Sequence, residues 1–90
     1  MRWRAELSDE AQKQLARLPR DVRDRMESAI DEFEERAEAQ WSNIKALRGP
    51  EWKGRFRKRV GAYRIIFRKS TDRSVVEISA ILLRSKETYR

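Results

Sequence analysis

Residues 55–68 read RFRKRVGAYRIIFR, and this stretch decides the fold of the chain. Gly61 followed by Ala62 is typical of a two-residue type II′ turn that closes a β-hairpin. Counting outward from the turn fixes which residues of the two antiparallel strands face each other. The predicted pairs are Val60 with Tyr63, Arg59 with Arg64, Lys58 with Ile65, Arg57 with Ile66, Phe56 with Phe67, and Arg55 with Arg68.

The two faces of this hairpin differ in character because side chains alternate along a strand. One face is mostly apolar and suits packing against a helix; it consists of Phe56, Lys58, Val60, Tyr63, Ile65 and Phe67. The other face carries Arg55, Arg57, Arg59, Arg64 and Arg68 around Ile66. Like charges directly opposite each other destabilise a sheet by up to about 1 kcal/mol per pair. Arginine donates two parallel hydrogen bonds to phosphate oxygens, so this face indicates a phosphate-binding surface rather than a merely solvated one.

Two helices are predicted before the hairpin. Met1–Leu7 alternates like a strand, and Ser8 then offers an N-cap to a short amphipathic helix that Pro19 ends. With Asp21 as its expected N-cap, a longer helix follows, and its apolar stripe steps by three or four residues. The stripe consists of Val22, Met26, Ile30, Phe33, Ala37 and Trp41.

The rest of the chain reads as connections and one further strand. Ser42–Lys53 is predicted to be a loop with Ile44 and Leu47 turned inward, and Ser70–Arg73 a turn. Ser74–Leu83 is continuously apolar, which is typical of a central strand covered on both faces. These elements predict a single α+β domain over residues 1–90 in the order β-α-α-β-β-β. Its two N-terminal helices should pack on a mainly antiparallel four-stranded sheet.

Composition narrows the possible functions. The 90 residues include 22 Lys and Arg, 15 Asp and Glu, and neither Cys nor His, for a net charge of +7. Thiol nucleophiles, Cys/His zinc sites and histidine acid–base catalysis are therefore excluded. Residues 1–41 carry a net charge of −3 and residues 42–90 a net charge of +10, so the second half should face a polyanion. No apolar run is long enough for a membrane span, and a cytoplasmic protein is expected.

Three segments carry a family resemblance: the triplet Leu47-Arg48-Gly49, residues 55–67, and residues 84–89. On these residues the chain resembles the RelE/ParE superfamily of bacterial toxins from type II toxin–antitoxin systems. The resemblance implies a RelE-like microbial RNase fold. It also implies partners, namely a cognate antitoxin and, for RelE-like members, the ribosome and its mRNA.

The resemblance to RelE-like members implies that the chain is an endoribonuclease that cuts mRNA in the ribosomal A site. In this reaction the 2′-OH of the RNA attacks the adjacent phosphate, and no metal or cofactor is needed. Matching residue by residue gives the catalytic set Arg55, Arg57, Arg64, Arg84 and Tyr89, with Arg84 placed by a one-residue shift. The further RNA- or phosphate-binding candidates are Arg48, Lys53, Arg59, Arg68 and Lys86.

The proton acceptor stays open at this point. Arg55 and Arg57 stand where RelE has lysines, and arginine is effectively always protonated. The remaining candidates are Tyr89, Lys58, Lys53, Lys86, Glu51 and Glu87. Two other functions also stay open: a ParE-like inhibitor of DNA gyrase without RNase activity, and a basic binding module without toxicity.

Overall fold

The computed structural model describes residues 2–83. The strands are β1 (Arg4–Leu7), β2 (Ile44–Ala46), β3 (Phe56–Val60), β4 (Tyr63–Ser70) and β5 (Val75–Leu83). The α-helices are α1 (Asp9–Ala16) and α2 (Arg20–Glu35), and short 3-10 helices cover Glu38–Gln40 and Pro50–Trp52. Neither α-helix in this part of the chain is long and apolar enough to cross a membrane.

All five strands form one sheet in the order β1-β5-β4-β3-β2. β1 runs parallel to β5, and the other neighbours are antiparallel. The α+β class and the mainly antiparallel sheet are confirmed, but the predicted count of four strands is wrong. The fifth strand is β2, which lies within the predicted loop and pairs Ile44 with Lys58 and Ala46 with Phe56. Its three residues are too few for their alternation to be distinguished from a polar loop.

The predicted hairpin register is confirmed over five of its six pairs, from Val60 with Tyr63 to Phe56 with Phe67. Gly61 has a φ of 58° and Ala62 does not have a positive φ, the combination that a type II′ turn requires. The sixth pair is wrong because β3 begins at Phe56. The carbonyl of Arg55 instead accepts a hydrogen bond from the Leu47 amide at 3.0 Å.

The start of α1 agrees with the prediction from the sequence, whereas both ends of α2 differ from it. Ser8 caps α1 as predicted, its hydroxyl accepting a hydrogen bond from the Ala11 amide. The expected cap of α2 at Asp21 is wrong, because the helix begins at Arg20 directly after Pro19. α2 also ends at Glu35, six residues before the apolar stripe does. Trp41 reaches the core from outside the helix, and its indole nitrogen donates to the Arg36 carbonyl at 3.1 Å.

The core lies between the sheet and the two helices, both of which pack on the same face. Phe33 is its centre: its ring lies 4.8 Å from those of Trp41 and Phe67, in edge-to-face contact with both. β5 is an internal strand, as predicted, but the helices cover only one of its faces. The hairpin residues predicted to face a helix do so, which leaves the arginines of β3 and β4 on the opposite face.

Lys58 is the one charged member of that apolar face, and α2 supplies its counter-charge. Its side chain is only 3% exposed and forms an ion pair with Glu32, whose side chain is 19% exposed. The ammonium group also donates to the Ser42 carbonyl at 2.8 Å. This pair ties β3 to α2 and is mostly excluded from water.

Replacing Glu32 by Gln should therefore destabilise the fold, because it leaves the buried Lys58 ammonium without a counter-charge. We expect a loss of about 2–3 kcal/mol in the free energy of unfolding, below the roughly 3–5 kcal/mol of a fully buried pair since Glu32 is partly exposed. Urea unfolding measures it. Glu38→Gln, which breaks the more exposed pair with Lys69, is the matched control and should cost less than about 1 kcal/mol. Equal losses in the two variants would contradict a special role of the Lys58 pair.

The same pair makes stability depend on pH in acid. Burial works to raise the pKa of Glu32, but hydrogen bonds from Lys58 and the Ser42 backbone, together with the Lys58 charge, hold that pKa below its ordinary value of 4.5. The folded pKa lies below the unfolded one, so the stabilisation is complete above about 4.5 and is lost as the pH falls through the folded pKa. In unfolding measurements at a series of pH values, wild type and Glu32→Gln should thus converge in acid. A difference that stays constant down to about pH 3 would contradict this linkage.

Candidate functional site

The face of the sheet opposite the helices contains a cleft, which we call the basic cleft. Its volume is about 360 Å³, within the range of sites that enclose a small ligand. It is lined by Lys45, Ala46, Leu47, Arg48, Glu51, Trp52, Arg57, Arg59, Arg64, Ile66 and Leu82. Among residues 2–83, five cations and one carboxylate thus line a concave surface, which favours an anionic ligand.

Strand pairing places four of these cations. Arg57 and Arg59 alternate on β3 and therefore point to the same face. Lys45 of β2 lies opposite Arg57, and Arg64 of β4 lies opposite Arg59. β3, the strand at the centre of the cleft, therefore takes part in two like-charge pairs, one with β2 and one with β4. The Arg59–Arg64 pair was predicted from the hairpin turn, whereas the Lys45–Arg57 pair follows from the additional strand.

The floor of the cleft is buried, and a backbone carbonyl holds the Arg57 guanidinium in place. Arg64 is only 1% exposed. Arg57 donates from Nη1 to the Asn43 carbonyl at 2.8 Å, and the same carbonyl accepts the Arg59 amide at 3.1 Å. The Nε atom of Arg59 is buried and has no hydrogen-bond partner among residues 2–83. Leaving a buried donor unsatisfied costs about 1–3 kcal/mol.

One wall of the cleft comes from the segment between β2 and β3. Gly49 has a φ of 102°, which reverses the chain into the 3-10 helix Pro50–Trp52. The turn brings Glu51 back against Gly49, so that a Cβ on Gly49 would lie 3.0 Å from a Glu51 carboxylate oxygen. Glu51 and Trp52 of this segment line the cleft together with Arg57 and Arg59 of β3.

Arg55 and Arg68 are on the predicted face but line a second depression, towards β1 and β5. This depression is also lined by Glu6 and Glu77, which form ion pairs with Arg73. Arg55 donates to the Ser79 hydroxyl at 3.1 Å. The register of β4 and β5 shifts here, since Ile66 pairs with Ala80 and Phe67 with Ile78.

The structure thus brings Arg48, Arg57, Arg59 and Arg64 together, but not all of the predicted residues. Lys53 is exposed and does not line the basic cleft. Arg84, Lys86 and Tyr89, as well as Glu87, lie outside the described residues. Among the candidate proton acceptors, Lys58 faces α2 whereas Glu51 lines the cleft.

Sequence reasoning missed two residues that line the cleft, Lys45 and Trp52. Lys45 lies within the predicted loop Ser42–Lys53, and only a predicted β2 would have shown that it faces Arg57. Trp52 stands two residues after Pro50 in a short 3-10 helix whose direction no periodic pattern reveals. The one available signal was an aromatic residue within a strongly basic segment. Within residues 2–83, no three acidic side chains come together as they would to hold a metal ion.

Solved structures of toxin–antitoxin proteins share this fold. The archaeal RelE–RelB complex from Pyrococcus horikoshii OT3 is similar with a TM-score of 0.74 and 23% identity, over 96% of this chain and 99% of that one. The RelBE2 complex from Mycobacterium tuberculosis gives a TM-score of 0.70 and 23% identity, over 93% and 100%. The isolated E. coli RelE toxin gives 0.69 and 20%, over 96% and 90%. At these identities the likeness establishes the fold.

The family follows from the sequence comparison. A search of curated proteins gave no significant match. The family model described as the ParE toxin of the type II toxin–antitoxin system parDE matches residues 5–88, which is nearly the whole chain. The expected superfamily is confirmed by this match: the chain belongs to the ParE toxin family of type II toxin–antitoxin systems, within the RelE/ParE superfamily.

Proposed function

We propose that this toxin is a ribosome-dependent mRNA endonuclease and that the basic cleft holds the phosphodiester that it cuts. The observation that carries the proposal is the convergence of five cations on one concave surface, with the buried Nε of Arg59 unsatisfied. A phosphate oxygen is the acceptor that suits these donors. Cations held by the sheet before the substrate arrives need no rearrangement to stabilise charge in the transition state.

The proposed reaction needs only groups of the protein and the RNA. The 2′-oxygen attacks the adjacent phosphorus as its proton passes to a base, and the bond from phosphorus to the 5′-oxygen breaks. The products are a 2′,3′-cyclic phosphate and a 5′-hydroxyl end, the 5′-oxygen having taken up a proton. Negative charge rises on the non-bridging oxygens as the bond to phosphorus forms. Arg57, Arg59 and Arg64 are the groups proposed to stabilise that charge.

Glu51 is the proposed acceptor of the 2′-OH proton. Among residues 2–83 it supplies the carboxylate that lines the basic cleft, and the turn at Gly49 brings that carboxylate back against the backbone of Gly49. Lys58, an alternative from the sequence, is engaged by Glu32 on the other face of the sheet. The family resemblance implies catalytic roles for Tyr89 and Arg84, and these roles stay predictions.

We further propose an antitoxin partner. The similar structures from Pyrococcus horikoshii and Mycobacterium tuberculosis are complexes of a RelE toxin with its antitoxin. An acidic or amphipathic segment that folds against this chain would complement its charge of +7. When the toxin acts, its partner would be the ribosome with its bound mRNA, as expected for a RelE-like toxin.

A second candidate function is inhibition of DNA gyrase without RNA cleavage. The observation that favours it is the family model itself, which describes ParE toxins. Such a toxin would leave ribosome-bound mRNA intact while it blocks gyrase-dependent supercoiling. Assaying both activities with one preparation separates the two candidates, since each predicts one positive and one negative result.

Arg57→Ala should lower the cleavage rate by at least about 100-fold, because it removes a cation from the phosphate in the transition state. Primer extension on ribosome-bound mRNA measures the cuts. Arg73→Ala removes the same charge from an exposed turn, where Arg73 pairs with Glu6 and Glu77, and should change the rate less than about threefold. Tyr89→Phe in the same assay tests the tyrosine. Equal rates for the two arginine variants would contradict cleavage in the basic cleft, and intact message with active wild type would remove the endonuclease proposal.

Glu51→Gln should lower the cleavage rate by about 100-fold or more, since an amide does not accept the 2′-OH proton at neutral pH. Its affinity for uncleavable RNA should be unchanged or higher, because a negative charge has left the cleft. Single-turnover cleavage and fluorescence anisotropy measure the two quantities. Glu35→Gln, at the exposed end of α2, is the control and should cleave like wild type. A Glu51→Gln variant that cleaves at the wild-type rate would remove Glu51 from the mechanism.

A further inference from the structure

Trp52 differs from the other two tryptophans in having no place in the core. Trp3 and Trp41 are only 5% and 9% exposed and contact each other with ring centres 5.5 Å apart. Trp52 is partly exposed and lines the basic cleft. Within residues 2–83, no other aromatic ring contacts the Trp52 indole. A large aromatic side chain is thus presented to whatever the cleft binds.

The backbone around Trp52 is fixed on both sides. Its amide donates to the Gly49 carbonyl at 3.0 Å, and its carbonyl accepts from the Arg55 amide at 2.9 Å. Pro50 restricts φ at the start of the same turn. The indole is therefore carried by a turn joined directly to β3, the strand that positions Arg57 and Arg59. Little conformational freedom remains to be lost at this turn when a ligand contacts the ring.

The surroundings of the ring specify the ligand chemistry. Arg48, Arg57 and Arg59 line the same cleft as the indole. A flat aromatic face beside phosphate-binding cations is the combination with which proteins bind single-stranded nucleic acid, each base stacking on a ring while its phosphate meets a cation. The bases of a duplex are already stacked on each other and are closed to a side-chain ring.

We propose that Trp52 is a stacking platform for an unpaired nucleobase of the RNA, next to the phosphate held by the arginines. This inference rests on the proposed function in taking RNA as the ligand of the basic cleft. It adds that the RNA must be single-stranded there and that the toxin contacts a base as well as the backbone. The larger ring area of purines favours adenine or guanine at this position over pyrimidines.

The test compares two oligonucleotides of equal charge. One is a fluorescently labelled 2′-deoxy pentaadenylate, which lacks the attacking hydroxyl and is not cut; the other is the abasic pentamer of the same length. Anisotropy titrations give the affinity of the toxin for each. Wild type should bind the adenine oligonucleotide about 5- to 150-fold more tightly, the range that stacking of one base provides. The ratio should persist as salt is raised, although both affinities fall with counterion release.

Trp52→Leu should reduce that ratio to about one while leaving the affinity for the abasic pentamer unchanged, and Trp52→Phe should retain part of it. Unchanged abasic binding in Trp52→Leu also reports that the arginines of the cleft are still in place. A wild-type ratio of one, or an undiminished ratio in Trp52→Leu, would overturn the proposal. Because neither oligonucleotide is cut, failure of the endonuclease proposal appears only in the cleavage assay and is distinguishable from failure here.

Discussion

A two-residue turn at Gly61 and Ala62 fixes the register of β3 and β4, and both faces of the sheet depend on that register. Because side chains alternate along a strand, the register decides at once which residues face α2 and which face away from it. Phe67 and Ile65 reach the core only if Arg64 and Arg59 reach the opposite face. A slip of one residue would bury arginines among the core aromatics, so the stability of the core also protects the geometry of the cleft.

This arrangement carries an electrostatic cost that the rest of the fold offsets. Arg59 lies opposite Arg64 and Lys45 opposite Arg57, and each such pair destabilises the sheet by up to about 1 kcal/mol. On the other face, Lys58 is compensated individually by Glu32 and by Ser42. The cation that the core encloses is thus neutralised by α2, whereas the strand register brings the cations of the cleft opposite one another. Natural proteins place such locally unfavourable arrangements mostly at functional sites.

The sequence predicted the parts of the structure that a local rule determines. The hairpin register follows from Gly61, the cap of α1 from Ser8, and the gathering of Arg57, Arg59 and Arg64 from alternation along two strands. The errors arose where distant contacts override a local pattern. The apolar stripe of α2 continues to Trp41, but the helix ends at Glu35 and the indole reaches Phe33 from a separate segment. β2 exists because β3 offers it an edge, which three residues alone do not reveal, and Lys45 was missed with it.

The fold alone does not choose between the two candidate functions, because one fold serves unrelated activities and function resides in the site. The composition of the basic cleft is therefore the stronger argument. A surface that only bound a protein would not need this set of cations together with a carboxylate around one concave surface. Cleavage of a phosphodiester uses both: the cations meet the charge that develops on the phosphate, and a base removes the 2′-proton. In a chain without histidine that base must be another side chain, and among residues 2–83 Glu51 is the carboxylate that lines the cleft with the arginines that would bind the phosphate.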